Sequence, residues 1–414
     1  MVFVKLLMSI HGIIMMVRFM RIIFHVDVNN AFLSWSAVDL LNKGYDKDIR
    51  TIPSVIGGDE EKRHGIVLAK SPIAKKYGIK TAETLYTARK KCPGLEIFPP
   101  NYEFYINKSH EFYNYLKDYT PVIEQASIDE CFLDLTGTNY LYDDILKLAY
   151  KIKNDIKEKF GFTVNIGIGN NKLCAKMASD FEKPNKVHTL FDYEIKDKMW
   201  PLPINDLLFV GKSSTKTLES IGIKTIGDLA NCNPNKLTKY FKNQTNDLIR
   251  RANGIDNSEV IIDYGSNKCI SISRTLEEDT DNKEIIKRFL LDMANQVGLR
   301  ARKNHLYAKN IAITYKLASF KSFSHGLTIH NPINNTMDIY NYSLKLLDEI
   351  TFKEKIRSIG IRLADLLERS NEQVSLFEDK KNDNQIQEVL DNINSKYNNT
   401  VVMPAIFFKK DKYK

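Results

Sequence analysis

Ser127-Ile128-Asp129-Glu130-Cys131-Phe132-Leu133-Asp134-Leu135-Thr136 reads as a polar turn running into a short apolar strand, with two adjacent carboxylates where the strand begins. Far upstream, Ile22-Ile23-Phe24-His25-Val26 is a near-continuous apolar run that ends in Asp27. Such a run is the signature of a strand buried on both faces. If the two strands pair, Asp27, Asp129 and Glu130 meet at one sheet edge. Like charges that close cannot all stay ionised without a cation between them. An all-oxygen set selects a hard divalent ion, and Mg²⁺ binds through one or two carboxylates plus substrate phosphates. The expectation is a site holding two Mg²⁺ for phosphoryl transfer, with these three residues catalytic. A single carboxylate at a strand end is more often a solvated turn residue; the case rests on three. Neighbours on a regular strand point to opposite faces. Asp129 and Glu130 can therefore share ions only if they lie in the turn before the strand becomes regular.

The remaining composition sets outer bounds. A chain of 414 residues suggests two to four domains, at roughly 150 residues each. Its net charge of +9 favours a polyanionic partner, a statement about association and not about fold. The cysteines (Cys92, Cys131, Cys174, Cys232, Cys269) are scattered without zinc spacing. They read as inert thiols in a reducing, cytoplasmic setting. Residues 1–20 are apolar but broken by Lys5, His11 and Arg18. They fit neither a spanning helix nor a signal peptide, so the expectation is a dispensable extension and no membrane partner.

Along the chain, strands and helices alternate to about residue 187, suggesting an α+β sheet with helices on one face. Residues 34–97 form a compact insertion. From Pro201 short helices with Gly hairpins take over, and 259–267 reads as a linker. From Lys268 the order strand, helix, strand, strand, helix, strand is that of the ferredoxin-like split unit. The segment after Glu368 is polar and Asn/Lys-rich.

Asp27-Val28-Asn29-Asn30-Ala31-Phe32, Ser127-Ile128-Asp129-Glu130 and the run from Gly167-Ile168-Gly169 through Lys172-Leu173-Cys174-Ala175-Lys176-Met177-Ala178-Ser179-Asp180 resemble the Y-family translesion DNA polymerases, the bacterial DNA polymerase IV branch above all. The resemblance runs from Arg21 to Phe377. It implies a right-hand architecture: palm at 21–33 and 98–187, small fingers at 34–97, helical thumb at 188–258, little finger at 268–369, and a tail at 370–414. It also implies primer–template DNA and dNTP as substrates, low fidelity, a role in DNA repair, and a monomer. A catalytically weak or inactive DNA-binding relative is the alternative.

By the same resemblance Phe32 is a steric gate: a flat ring under the sugar leaves no room for a 2′-OH. Lys75 stands where the family's fingers usually carry arginine. It keeps the charge but loses the bidentate fork. Pro72 replaces a tyrosine and removes a hydroxyl. Lys172 opens a helix after a Gly-rich turn, a setting that suits phosphate, and is the expected triphosphate contact. Phe209-Val210-Gly211-Lys212 and Ile221-Gly222-Ile223 look like helix-hairpin-helix pieces lacking one usual glycine. Gly211, Lys212 and Gly222 are the expected DNA contacts there. In the last domain Lys316 and Arg362 lie on the strand faces that alternate with Ile311, Ile313, Ile359 and Ile361, and are expected along duplex phosphates. Gln373-Val374-Ser375-Leu376-Phe377 resembles the peptide by which bacterial polymerases bind the sliding clamp. Gln373, Leu376 and Phe377 are its anchors.

Overall fold

The structure is a computed structural model that describes residues 21–59, 65–262, 268–368, 381–397 and 402. The chain divides into two compact units, Met1–Asp263 and Tyr264–Lys414.

The first unit is built on strand β1 (Ile23–Val28), all six residues of which are buried. It is followed by α1 (Ala31–Asn42), β2 (Ser54–Gly57), β3 (Val67–Lys70), α2 (Pro72–Lys76), α3 (Leu85–Lys91), β4 (Glu96–Phe98) and α4 (Tyr102–Lys117). Then come β5 (Ile123–Gln125), β6 (Glu130–Asp134), α5 (Ile145–Phe160), β7 (Val164–Gly169), α6 (Lys172–Asp180) and β8 (Val187–Leu190). The five-stranded sheet has the order β5-β6-β1-β7-β8, with β1 at its centre. The apolar run that ends at Asp27 thus finds a partner on each side, β6 and β7, both antiparallel. In the insertion β2, β3 and β4 make a separate three-stranded sheet.

One face of the main sheet presents Phe24, Val26, Leu133, Ile166 and Ile168 to Trp35, Tyr105, Phe112, Ile152 and Ile156 of α1, α4 and α5. Helix α5 starts where Asp144 accepts from the N–H groups of Leu146 and Lys147, and stops at Gly161 in the left-handed region (φ 76°). That Gly is the usual helix stop. The expectation of helices on one face fails on the other side. There α6 lies directly against β7, because β7 has no side chain where the helix crosses. A Cβ on Gly167 would come within 1.9 Å of Ala175 O, and one on Gly169 within 2.8 Å of Ala175 N. The glycine alternation of Val164-Asn165-Ile166-Gly167-Ile168-Gly169 therefore encodes a helix seat on one face and a core on the other.

Helices α7 (Lys212–Ser220), α8 (Ile226–Ala230), α9 (Pro234–Phe241) and α10 (Thr245–Ala252) close around Leu218, Ile226, Leu229, Leu237 and Leu248.

The second unit runs β9 (Cys269–Thr280), α11 (Lys283–Lys303), β10 (Leu306–Leu317), β11 (Ser322–Ile333), α12 (Thr336–Asp348), β12 (Ile356–Glu368) and α13 (Lys381–Lys396). The chain order through β12 is the one expected. In space β10 and β12 are the inner strands and β9 and β11 the edges. Ile311, Ile313, Ile359, Ile361 and Leu363 pack with Leu290, Val297 and Leu346 of the two helices. Arg302, on α11, makes a two-pronged contact to Asp391 on α13 (2.5 and 3.1 Å).

Gly167→Ala puts a methyl into helix backbone that cannot yield. The expected outcome is a loss of at least about 3 kcal/mol of stability, read as a lower thermal midpoint. A variant as stable as the parent would mean that α6 does not seat on this glycine.

Candidate active site

Antiparallel pairing places Asp27 directly opposite Glu130, so the two side chains share a sheet face. The strand pairing continues past its end: Val28 N–H donates to the carbonyl of Asp129 (3.0 Å). Asp129 lies in the bend, whereas Glu130 is already the first residue of β6 and is paired in register; the condition that both acids stand in the turn is met by Asp129 alone. Ser127 Oγ donates to Asp129 Oδ1 (2.7 Å) and fixes that bend. Asp27 is 6% exposed.

Cations already sit on these acids. Lys183 Nζ donates to Asp27 Oδ2 and lies 2.8 Å from Asp180. Lys176 Nζ donates to Glu130 Oε1 (2.7 Å). His25, fully buried, bonds Ser179 Oγ through Nδ1 (2.8 Å), and its Nε2 stands 3.8 Å from Glu130 Oε2. The His25 imidazole beneath and the Lys176 ammonium beside it pull the Glu130 carboxyl down to about 2. Of these two only Lys176 makes a direct hydrogen bond. Burial pushes the Asp27 carboxyl above its usual range, and Lys183 offsets part of that. Burial opposes the Lys183 charge, but Asp27 and Asp180 outweigh it and raise its ammonium. As they stand, the three carboxylates do not converge. Among the described residues no three acidic, His or Cys side chains are placed to hold one ion.

Lys172 is not brought to this cluster. Its ammonium bonds both oxygens of Glu124 (2.7 and 2.6 Å) and lies over the Phe132 ring. The sequence marks Lys172 by its place at the start of α6; Lys176, one turn on, is the lysine that reaches Glu130. The usable signal was the four-residue spacing, which puts both lysines on one helix face. Glu124, an acid on a buried strand that needs its own cation, was the second clue. Nothing in the local pattern singled out Lys183, which follows the helix.

Phe32 is the second residue of α1. Its ring stacks on Tyr105 (4.9 Å, 15°) and meets Tyr102 edge-on (6.3 Å). It is a rigid wall rather than a core plug, because Tyr105 is buried and Phe32 only half so. Asn30, in the left-handed region before α1, donates to the Lys70 carbonyl (2.8 Å) and ties the insertion to this loop. Lys75 is exposed on α2; burial, then the nearby Lys75 charge, lowers the Lys70 ammonium. Pro72 sits at the start of α2, behind the Ser71 cap, where proline fits best.

Gly211 is the residue before α7, Lys212 its exposed first residue, and Gly222 follows the helix at φ 86°. Lys316 and Arg362 flank buried residues of β10 and β12 and stand on the face away from α11 and α12. Gln373, Leu376 and Phe377 lie outside the described residues, as does the 1–20 extension. Among the described residues no helix is long and apolar enough to cross a membrane.

Comparison with known proteins places this geometry. The impB/mucB/samB family matches residues 26–180, and that family's C-terminal domain matches residues 267–376. The DNA polymerase IV of Clostridium acetobutylicum is 44% identical over 393 residues, 94% of this chain and 99% of that protein. DNA polymerase IV 1 of Bacillus subtilis is 31% identical, covering 95% of each chain. Among solved structures, a Y-family polymerase chimera of Dbh and Dpo4 aligns with 84% of this chain and 99% of its own, at a TM-score of 0.73 and 24% identity. A structure described as a Dbh ternary complex aligns with 84% of this chain and 99% of its own, at a TM-score of 0.59 and 25% identity. The paired acids at the centre of the sheet and the similarity along nearly the whole chain agree: the chain belongs to the Y family of DNA-directed DNA polymerases, in the DNA polymerase IV branch that carries out translesion synthesis.

Proposed function

We propose that this chain extends a primer by template-directed, low-fidelity nucleotidyl transfer at Asp27, Asp129 and Glu130, with primer–template DNA and dNTP as substrates. The observation that carries the reading is the register that sets Asp27 opposite Glu130 with Asp129 in the adjoining bend. The family depends on divalent metal, and the donor set here fits a hard ion: three carboxylates, to two of which ammonium groups are already drawn. Two Mg²⁺ held by these acids would neutralise charge on the attacking and leaving oxygens.

The chain's own residues do the rest. Asp27 and Glu130 release Lys183 and Lys176, and the freed ammonium groups turn to the triphosphate at the same edge. Lys172, whose ammonium rests on Glu124, stays a proposed phosphate contact, and Lys183 and Lys176 join it. Lys75, with Lys70 beside it, takes the outer phosphates. Phe32 walls the sugar. Catalysis is then chiefly positioning and charge neutralisation. Gly211, Lys212 and Gly222 hold a DNA phosphate through the thumb hairpin, and Lys316 and Arg362 follow the duplex. The domain limits given above, a monomeric state and a cytoplasmic location belong to the same proposal. So does a clamp contact through Gln373, Leu376 and Phe377, which rests on their sequence alone. Pro72 is no argument for an inactive relative, because it serves the start of a helix.

Lys183→Ala leaves a buried carboxylate without its partner. The metal-free variant is expected to lose about 1–2 kcal/mol, a buried-pair cost reduced because Lys183 is 39% exposed. Mg²⁺ should then raise its thermal midpoint more than it raises the parent's. An equal or smaller metal-induced shift would contradict the stand-in role. Phe32→Ala should raise ribonucleotide incorporation relative to deoxyribonucleotide by roughly 100-fold, measured by single-nucleotide extension. An unchanged ratio would remove Phe32 as the gate.

A further inference from the structure

Phe209 is strained and gains no burial for it. Its φ of +71° lies in the left-handed region, which an aromatic side chain adopts at a cost. Its neighbours Leu207 and Val210 are buried, whereas Phe209 is 71% exposed. The turn is closed by Val210 N–H donating to the Leu207 carbonyl (3.0 Å). The left-handed residue turns the ring out of the thumb core at the hairpin tip. The ring is not loose: the Arg251 guanidinium lies over it, 4.4 Å from the centroid, a cation–π contact that fixes a flat apolar plate. Lys212 and Lys216 line the groove beside Val210 and Gly211 together with Glu219, and among the described residues neither lysine nor Arg251 is in an ion pair. Strain held without packing benefit points to function. An apolar plate rimmed by unpaired cations fits a partner that alternates charge with apolar surface, and a duplex backbone alternates phosphate with deoxyribose.

We infer that Phe209, backed by Arg251, is a DNA-positioning residue whose ring lies against a deoxyribose of the bound duplex while Lys212 takes the neighbouring phosphate. This rests on the reading of the thumb hairpin as a DNA contact. It adds an uncharged contact to what is otherwise an electrostatic grip, and the contact is sequence-independent because every nucleotide carries the same sugar. It also gives a reason for an aromatic residue at the left-handed position of the hairpin, where glycine would fit without strain.

The test is fluorescence anisotropy of a primer–template duplex across a salt series, with thermal midpoints measured alongside. The variants are Phe209→Ala, Phe209→Gly, Phe209→Trp and Lys212→Ala. Ala and Gly both remove the ring, but only Gly relieves the backbone. The expected result is an equal loss of affinity for both, about fivefold, with Gly the more thermally stable of the two. Trp retains the parent affinity. The salt slope is unchanged in the Phe209 variants and falls by about one in Lys212→Ala. If Gly binds like the parent and Ala does not, hairpin geometry matters and the ring contact is wrong. If Lys212→Ala weakens binding and all Phe209 variants bind normally, the inference fails and the hairpin reading stands. If none of the variants changes affinity, both fall.

Discussion

A buried carboxylate faces a second carboxylate across two hydrogen-bonded strands, and this is the constraint on which the rest of the structure turns. Asp27 and Glu130 are locked into opposition by backbone register, so the chain cannot relieve their repulsion by moving them apart. It relieves it by bringing cations. Lys176 and Lys183 both depend on α6, the first as part of it and the second just beyond its end. Helix α6 can reach the sheet only because Gly167 and Gly169 leave room for its backbone. The glycines, the helix seat and the lysines are therefore one arrangement.

That arrangement also supplies counter-charge to the acids from the protein itself. Two ammonium groups are drawn to the acids, and each keeps part of its surface exposed. Lys183 is 39% exposed and Lys176 20%, so neither is trapped. On the proposed reading, the same two groups turn to an anion once the acids bind another cation. On the other flank Phe32 is braced by Tyr105 and Tyr102, and the proposed selection against a single hydroxyl draws on that bracing.

Much of this was legible in the sequence, and the limits are physical. The β1 strand showed as an apolar run because it is buried on both faces. The acidic doublet showed because Ser127-Ile128 ahead of it marks a turn, although only Asp129 lies in that turn and Glu130 opens β6. The helices of the last unit showed in a β-α-β-β-α-β order that the structure reproduces through β12. The second covered face of the main sheet did not show. The glycines before Lys172 look like a Gly-rich turn in the sequence, whereas Gly167 and Gly169 lie within β7 and mark close backbone approach. Lys172 was chosen for its place at a helix start, but which acid a lysine reaches depends on strands far away in sequence. The Glu124 partner on β5 could not be assigned without the sheet order. Phe209 gave no signal at all, because a positive φ on an aromatic residue is a property of the folded turn.

The most direct test is single-turnover primer extension by Asp27→Asn, Asp129→Asn and Glu130→Gln, with DNA affinity measured for each. If the three acids act as one centre, each variant binds primer–template like the parent and extends it at least roughly 1,000-fold more slowly. Extension at the parental rate by any of the three, with DNA affinity intact, would contradict the account.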